Sequence, residues 1–85
     1  MERNEVYRIL DGEREYQDTS RVVNENETRE DQEKSVADFI LYMDYTLNKA
    51  KTAIYTLNET EALALVRKVT ALGVAAGEAF GFPER

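Results

Sequence analysis

Cysteine and histidine are both absent from these 85 residues, and proline occurs once. Without cysteine there is no disulfide framework and no thiolate metal site; without histidine the usual nitrogen ligand and the usual neutral-pH acid-base are missing as well. A metal could be held only by carboxylates. Long apolar runs are also missing: nothing reaches the roughly 18 uninterrupted apolar residues of a membrane span. The opening MERNEVYRIL is charged where a signal peptide would be apolar, so the expected location is the cytoplasm, away from any membrane. Positive charge is scarce, with 11 Lys and Arg against 17 Asp and Glu and a formal net charge of -6. That balance argues against wrapping duplex nucleic acid, which needs many uncompensated cations facing phosphate. A small anionic ligand needs only one or two.

What is present reads as one small helical domain, residues 1–85. A chain of this size buries roughly 60 to 65% of its unfolded surface as a monomer, and without staples it gains stability by associating with copies of itself. An oligomer is therefore expected. The fold class is all-α: a short N-terminal helix, a long central helix and a C-terminal helix, assembled into a helical homo-oligomer. The first helix is expected over about residues 3–17, with Val6, Ile9 and Leu10 as its apolar stripe and Gly12 as a weak point costing about 1 kcal/mol against Ala. The stripe then meets Glu13 and Tyr16 or Gln17, so Tyr16 is either a core-edge residue or part of a site. DTSRVVNENETRE, from Asp18 to Glu30, is polar and acidic and reads as a solvated connection.

The second helix is expected from about Asp31 to Thr56. Val36, Ile40, Met43, Leu47, Ala50, Ile54 and Leu57 alternate in steps of four and three, and Phe39, Leu41 and Tyr42 add a second stripe. Asn58 with Glu61 three residues on has the form of a helix N-terminus, while Gly81 and Pro83 form a stop. The helix between them is apolar around most of its circumference, with Gly73 and Gly77 one turn apart. Such a helix is buried either between protomers, the reading preferred here, or at the centre of a monomer's own core.

Two kinds of chemistry compete. Glu27, Glu30, Asp31 and Glu33 superficially resemble the magnesium-binding carboxylates of the MazG-like nucleotide pyrophosphatases. The third helix, however, has no acid between Glu61 and Glu78 to complete the ligand set. The serines and threonines have no histidine to activate them. Binding fits better: Tyr16, Arg14 and Lys34 bracket the polar connection, and Ser35 follows Lys34. If the first two helices are neighbours, an aromatic face and two cations meet at one end, a chemistry for bases and phosphates. Arg67 and Lys68 interrupt the apolar third helix and must reach solvent, an acid such as Glu59 or Glu61, or an anionic ligand.

Three stretches, DGEREYQD, KSVADFILYMDYTLNKA and VRKVTALGVAAGEAFGFPER, together resemble the short phage proteins of the anti-CBASS type two sponge family. The resemblance covers most of the chain apart from residues 18–33. It implies a helical homo-hexamer without enzymatic activity or cofactor, made in the cytoplasm of an infected bacterial host. Such sponges sequester cyclic dinucleotides such as cyclic GMP-AMP and, in some members, cyclic trinucleotides or cyclic ADP-ribose isomers. Tyr16 matches the tyrosine that stacks on a base and Lys34 the lysine on phosphate, with Glu13 and Gln17 beside the base edges. Arg67 matches the arginine of the separate trinucleotide site, with Ser35 or Thr28 as its hydroxyl partner. A helical adaptor that binds a host protein is the alternative outside this class.

Overall fold

The computed structural model describes residues 1–22 and 34–85. Among the described residues all regular structure is helical: α1 (Arg3–Val22), α2 (Val36–Tyr55) and α3 (Glu59–Phe80), of 20, 20 and 22 residues. The N-terminal helix is therefore not short and the central one not the longest. α1 runs past the expected end at residue 17 because its next residues bond within the helix. Asp18 accepts from Arg14 at 3.0 Å, and the Thr19 hydroxyl donates to the Glu15 carbonyl at 2.8 Å. Gly12 is accommodated inside this helix with open space where a Cβ would stand.

α2 begins later than expected. Ser35 is its N-cap: the hydroxyl accepts from the Asp38 N–H at 3.2 Å while the Asp38 carboxylate accepts from the Ser35 N–H at 2.9 Å. This reciprocal pair satisfies two donors that the helix start would otherwise orphan. At the other end, the Asn58 N–H bonds the Ala53 carbonyl and the Leu57 N–H bonds that of Ile54, the paired closure of a Schellman motif. Its left-handed position is held by Leu57, at φ 60°, where glycine is usual. Such a conformation costs an L-residue roughly 1–2 kcal/mol. Asn58 then caps α3 by accepting from the Glu61 N–H at 3.1 Å, as the sequence predicts.

α2 and α3 pack as a helical hairpin along a seam of small side chains. Thr46, Ala50 and Ala53 of α2 and Ala62, Ala71 and Ala75 of α3 are buried, as are Phe39 and Leu72. Small residues permit close backbone approach, which leaves larger neighbours outside the seam. The apolar repeat that defines α2 in the sequence is thus offset from its buried face. Val36, Ile40, Leu47 and Ile54 are all exposed, as are Leu63 and Val66 of α3. Phe39 meets Phe80 edge-on, with ring centroids 6.1 Å apart. α3 ends at Gly81, whose φ of 79° turns the tail back so that Phe82 lies over Gly77. A Cβ on Gly77 would stand 2.5 Å from that ring, so glycine here makes room for the chain's own tail, while Gly73 faces Met43 at ordinary contact distance.

Among the described residues α1 packs on α3 and makes no close backbone approach to α2. The first and second helices are therefore not direct neighbours: α3 stands between them as the shared support.

Candidate functional site

The inner face of α1 is Leu10, Glu13, Arg14 and Gln17, spaced i, i+3, i+4 and i+7, the positions that fall on one side of a helix. Only Leu10 is apolar. Arg14 is 8% exposed and holds Glu78 of α3 through two parallel bonds, Nε to Oε1 at 2.9 Å and Nη2 to Oε2 at 3.0 Å. It also donates to Gln17 at 3.1 Å and to Asp18 at 3.0 Å. The hydrogen bond to Glu78 is the largest influence raising the guanidinium's pKa above its ordinary value, against the opposing effect of burial; Asp18 adds to it. Gln17, also buried, spans 3.5 Å to the Lys68 carbonyl of α3.

This network revises the expectation for Arg14 and Gln17. Their polar groups are committed to docking α1 on α3, because a buried guanidinium must be matched by acceptors. Arg14 is therefore an internal clamp and not a cation presented to phosphate. Glu13 is likewise engaged: its Oε1 accepts from Arg67 Nε at 2.9 Å. Arg67, whose side chain is about half exposed, finds its acid on α1 and not at Glu59 or Glu61 on its own helix.

Tyr16 lies off this inner face and is 67% exposed. It is not a core residue, and its ring is open to solvent. Ser35 is engaged as the α2 cap through its oxygen. Thr28 lies outside the described residues, as do Glu27, Glu30, Asp31 and Glu33. Among the described residues no three carboxylates are grouped so as to hold a metal ion.

Lys34 is where the cations gather. Its ammonium stands 5.1 Å from the centroid of the Tyr42 ring and 5.9 Å from that of Phe39. The Lys68 ammonium, arriving from α3, stands 5.6 Å from the same Tyr42 ring. Each is within the range of cation–π attraction, about 6 Å. Asp38 lies close enough for Lys34 to help hold its carboxyl below the usual carboxylate value, after the larger effects of the hydrogen bonds from the Ser35 backbone and side chain. The structure thus joins Lys34 to Lys68 through Tyr42, and joins Lys68 to α1 through its carbonyl and Gln17. Lys34 and Arg14 are thereby linked only indirectly, through Tyr42, Lys68 and Gln17.

Tyr42 and Lys68 are the members of this group that sequence reading did not place in a site. The signal was present in part, since Lys68 is a cation on an apolar helix and Tyr42 belongs to the second stripe of α2. What joins them is the register of α2 on α3, a tertiary fact. Chemically, the two ammonium groups bring cationic and aromatic character to one place on the surface. No helix among the described residues is long and apolar enough to cross a membrane. Comparisons with protein-family models, with curated proteins and with solved structures find no match to this chain.

Proposed function

We propose that this chain is a non-enzymatic binding protein that captures cyclic oligonucleotide messengers, the phage immune-evasion sponge role that its sequence resemblance implies. The observation that carries the proposal is the convergence of Lys34 and Lys68 from different helices on the Tyr42 ring, at 5.1 and 5.6 Å. In a protein of net charge -6, two cations from different helices share one aromatic ring, with the Asp38 carboxylate beside Lys34. A cyclic dinucleotide presents complementary features: phosphodiester anions and flat bases. Tyr16, 67% exposed on α1, supplies a second ring that is mostly open to solvent. Assembly of several copies, six in the family resembled, would bring such elements from neighbouring protomers to one ligand. Arg67 with Glu13 then stands as the candidate for a separate cyclic trinucleotide site, in which ligand displaces the carboxylate.

Calorimetry against a panel of cyclic dinucleotides, cyclic trinucleotides and cyclic ADP-ribose isomers tests this reading. Heat of binding to at least one class, with intact ligand recovered after the protein is denatured, is the expected result. Recovery of cleaved ligand would point instead to a nucleotide hydrolase. The exposed apolar side chains of α2 and α3 favour a second reading, a helical adaptor for a host protein. Absence of any heat across the panel would leave that reading in possession.

A further inference from the structure

What holds α1 in place differs in kind from what holds the hairpin together. Among the described side chains of α1 only Leu10 is both apolar and buried. The rest of its hold on α3 includes the ion pair of Arg14 with Glu78, the ion pair of Glu13 with Arg67 and the contact of Gln17 with the Lys68 carbonyl. α2 and α3 meet instead through buried apolar side chains such as Ala50, Ala62 and Leu72. Salt screens charge pairs and does not screen the burial of apolar surface. Attachments that answer to different forces fail separately. Within the second ion pair the two partners are unequally placed, the Glu13 side chain being 12% exposed and that of Arg67 48%. The enclosed carboxylate therefore stands where an anion reaching Arg67 from solution would have to bind. Glu13 is kept there by its own helix, since Arg14 and Gln17 on the same face are buried against α3.

We propose that α1 is a strap: it lifts from α3 as a unit while the hairpin of α2 and α3 stays folded, and when docked it closes Arg67 to outside anions through Glu13. The closing of Arg67 rests on the reading of that residue as an anion-binding group; the lifting of α1 does not. Lifting removes the internal acid from Arg67 and leaves the guanidinium for a phosphate-bearing ligand. An anion that binds only the lifted state draws the equilibrium toward it by mass action. Such a ligand loosens α1, where a ligand of the docked state would tighten it.

Native-state hydrogen exchange on the full chain, followed through rising urea, tests both halves. The amides of α1 are expected to share one opening, exchanging about tenfold or more faster than those of the seam between α2 and α3. Sodium chloride at about 1 M, where screening reaches within roughly 3 Å, should speed α1 several-fold and leave the seam unchanged. Inorganic triphosphate should speed α1 further than sodium chloride of equal ionic strength, and Arg67→Ala should lose that increment over its own baseline. Glu13→Gln keeps the shape of the side chain without its charge. It should bind triphosphate several-fold more tightly than the wild type by calorimetry, with circular dichroism checking that the helices remain. Amides of α1 that exchange only together with the seam, or that show no response to salt, overturn the strap. Triphosphate that acts no more than sodium chloride, that slows α1, or that acts equally on Arg67→Ala overturns the closing of Arg67, as does Glu13→Gln binding no better than the wild type. Cyclic oligonucleotides that give no heat would defeat the proposed function and leave each of these outcomes as it stands.

Discussion

Arg14 shows how one side chain can change meaning between sequence and fold. In the sequence it is a cation beside a tyrosine at the edge of an acidic stretch. In the structure it is the residue around which α1 docks, with Glu78, Gln17 and Asp18 as acceptors. Arg14→Met should lower stability by about 1.5–3 kcal/mol in urea unfolding, the range for hydrogen bonds to charged groups. Arg14→Lys should recover little, because an ammonium cannot make two parallel bonds to one carboxylate. Gly77 carries a different kind of information. Alanine there gains about 1 kcal/mol of helix propensity, yet its Cβ would collide with the Phe82 ring. Gly77→Ala is therefore expected to release the tail with little net change in stability. Nuclear magnetic resonance should show the Phe82 ring signals moving toward those of an unstructured peptide, and unchanged signals would mean that α3 and the tail adjust together.

At the scale of the element, the start of α2 is a small device whose behaviour with pH follows from its geometry. Hydrogen bonds from Ser35, with a smaller contribution from Lys34, hold the Asp38 pKa below its ordinary 3.8. The folded state thus favours the ionised carboxylate relative to the unfolded chain. Its stabilisation is fully present above the ordinary value and is lost as pH falls through the depressed one. Amide exchange in the first turn of α2 should rise on acidification more than in its centre, and Asp38→Asn should flatten that dependence. Ser35→Ala removes the cap and should lower stability by about 1 kcal/mol. This element also shows what the sequence makes legible. The Asn58 cap and the Gly81 stop are readable because their residue types and spacing are those of helix ends. The α2 start is misplaced by about five residues because Glu30, Asp31, Gln32 and Glu33 are compatible with a helix by residue type, and Asp at the third position is a less usual partner than Glu. Which stripe of α2 is buried was legible only in part: Ala50 of the first stripe and Phe39 of the second are buried, but Thr46 and Ala53 complete the seam while Val36, Ile40, Leu47 and Ile54 stay outside.

For the whole molecule, α1 is attached to α3 largely through charged and polar groups, whereas α2 and α3 are joined by a seam of small, mostly apolar side chains. The candidate site inherits this asymmetry. Tyr16 and Lys34 were legible as candidates from residue type and position, but their relation was not, because it depends on α3 lying between the helices that carry them. The structure links Lys34 to Lys68 and Tyr42 and leaves Tyr16 exposed on α1, so the two parts of the proposed site should respond differently to mutation. Lys34→Ala and Lys68→Ala each remove one cation near a single ring. Each should weaken cyclic dinucleotide binding and reduce its dependence on salt, as expected when one phosphate contact is lost. Tyr16→Ala should weaken binding by roughly 1–3 kcal/mol through lost stacking, with the salt dependence unchanged and Tyr16→Phe close to the wild type. Since Tyr16 is mostly exposed, its alanine variant should unfold close to the wild-type midpoint. Calorimetry on the four variants at two salt concentrations separates these effects. If Tyr16→Ala binds as the wild type while the lysine variants do not, the ligand sits on α2 and α3 without α1. If none of the variants changes the affinity, the messenger is held elsewhere on the molecule, and the cations over Tyr42 serve only to fasten the hairpin.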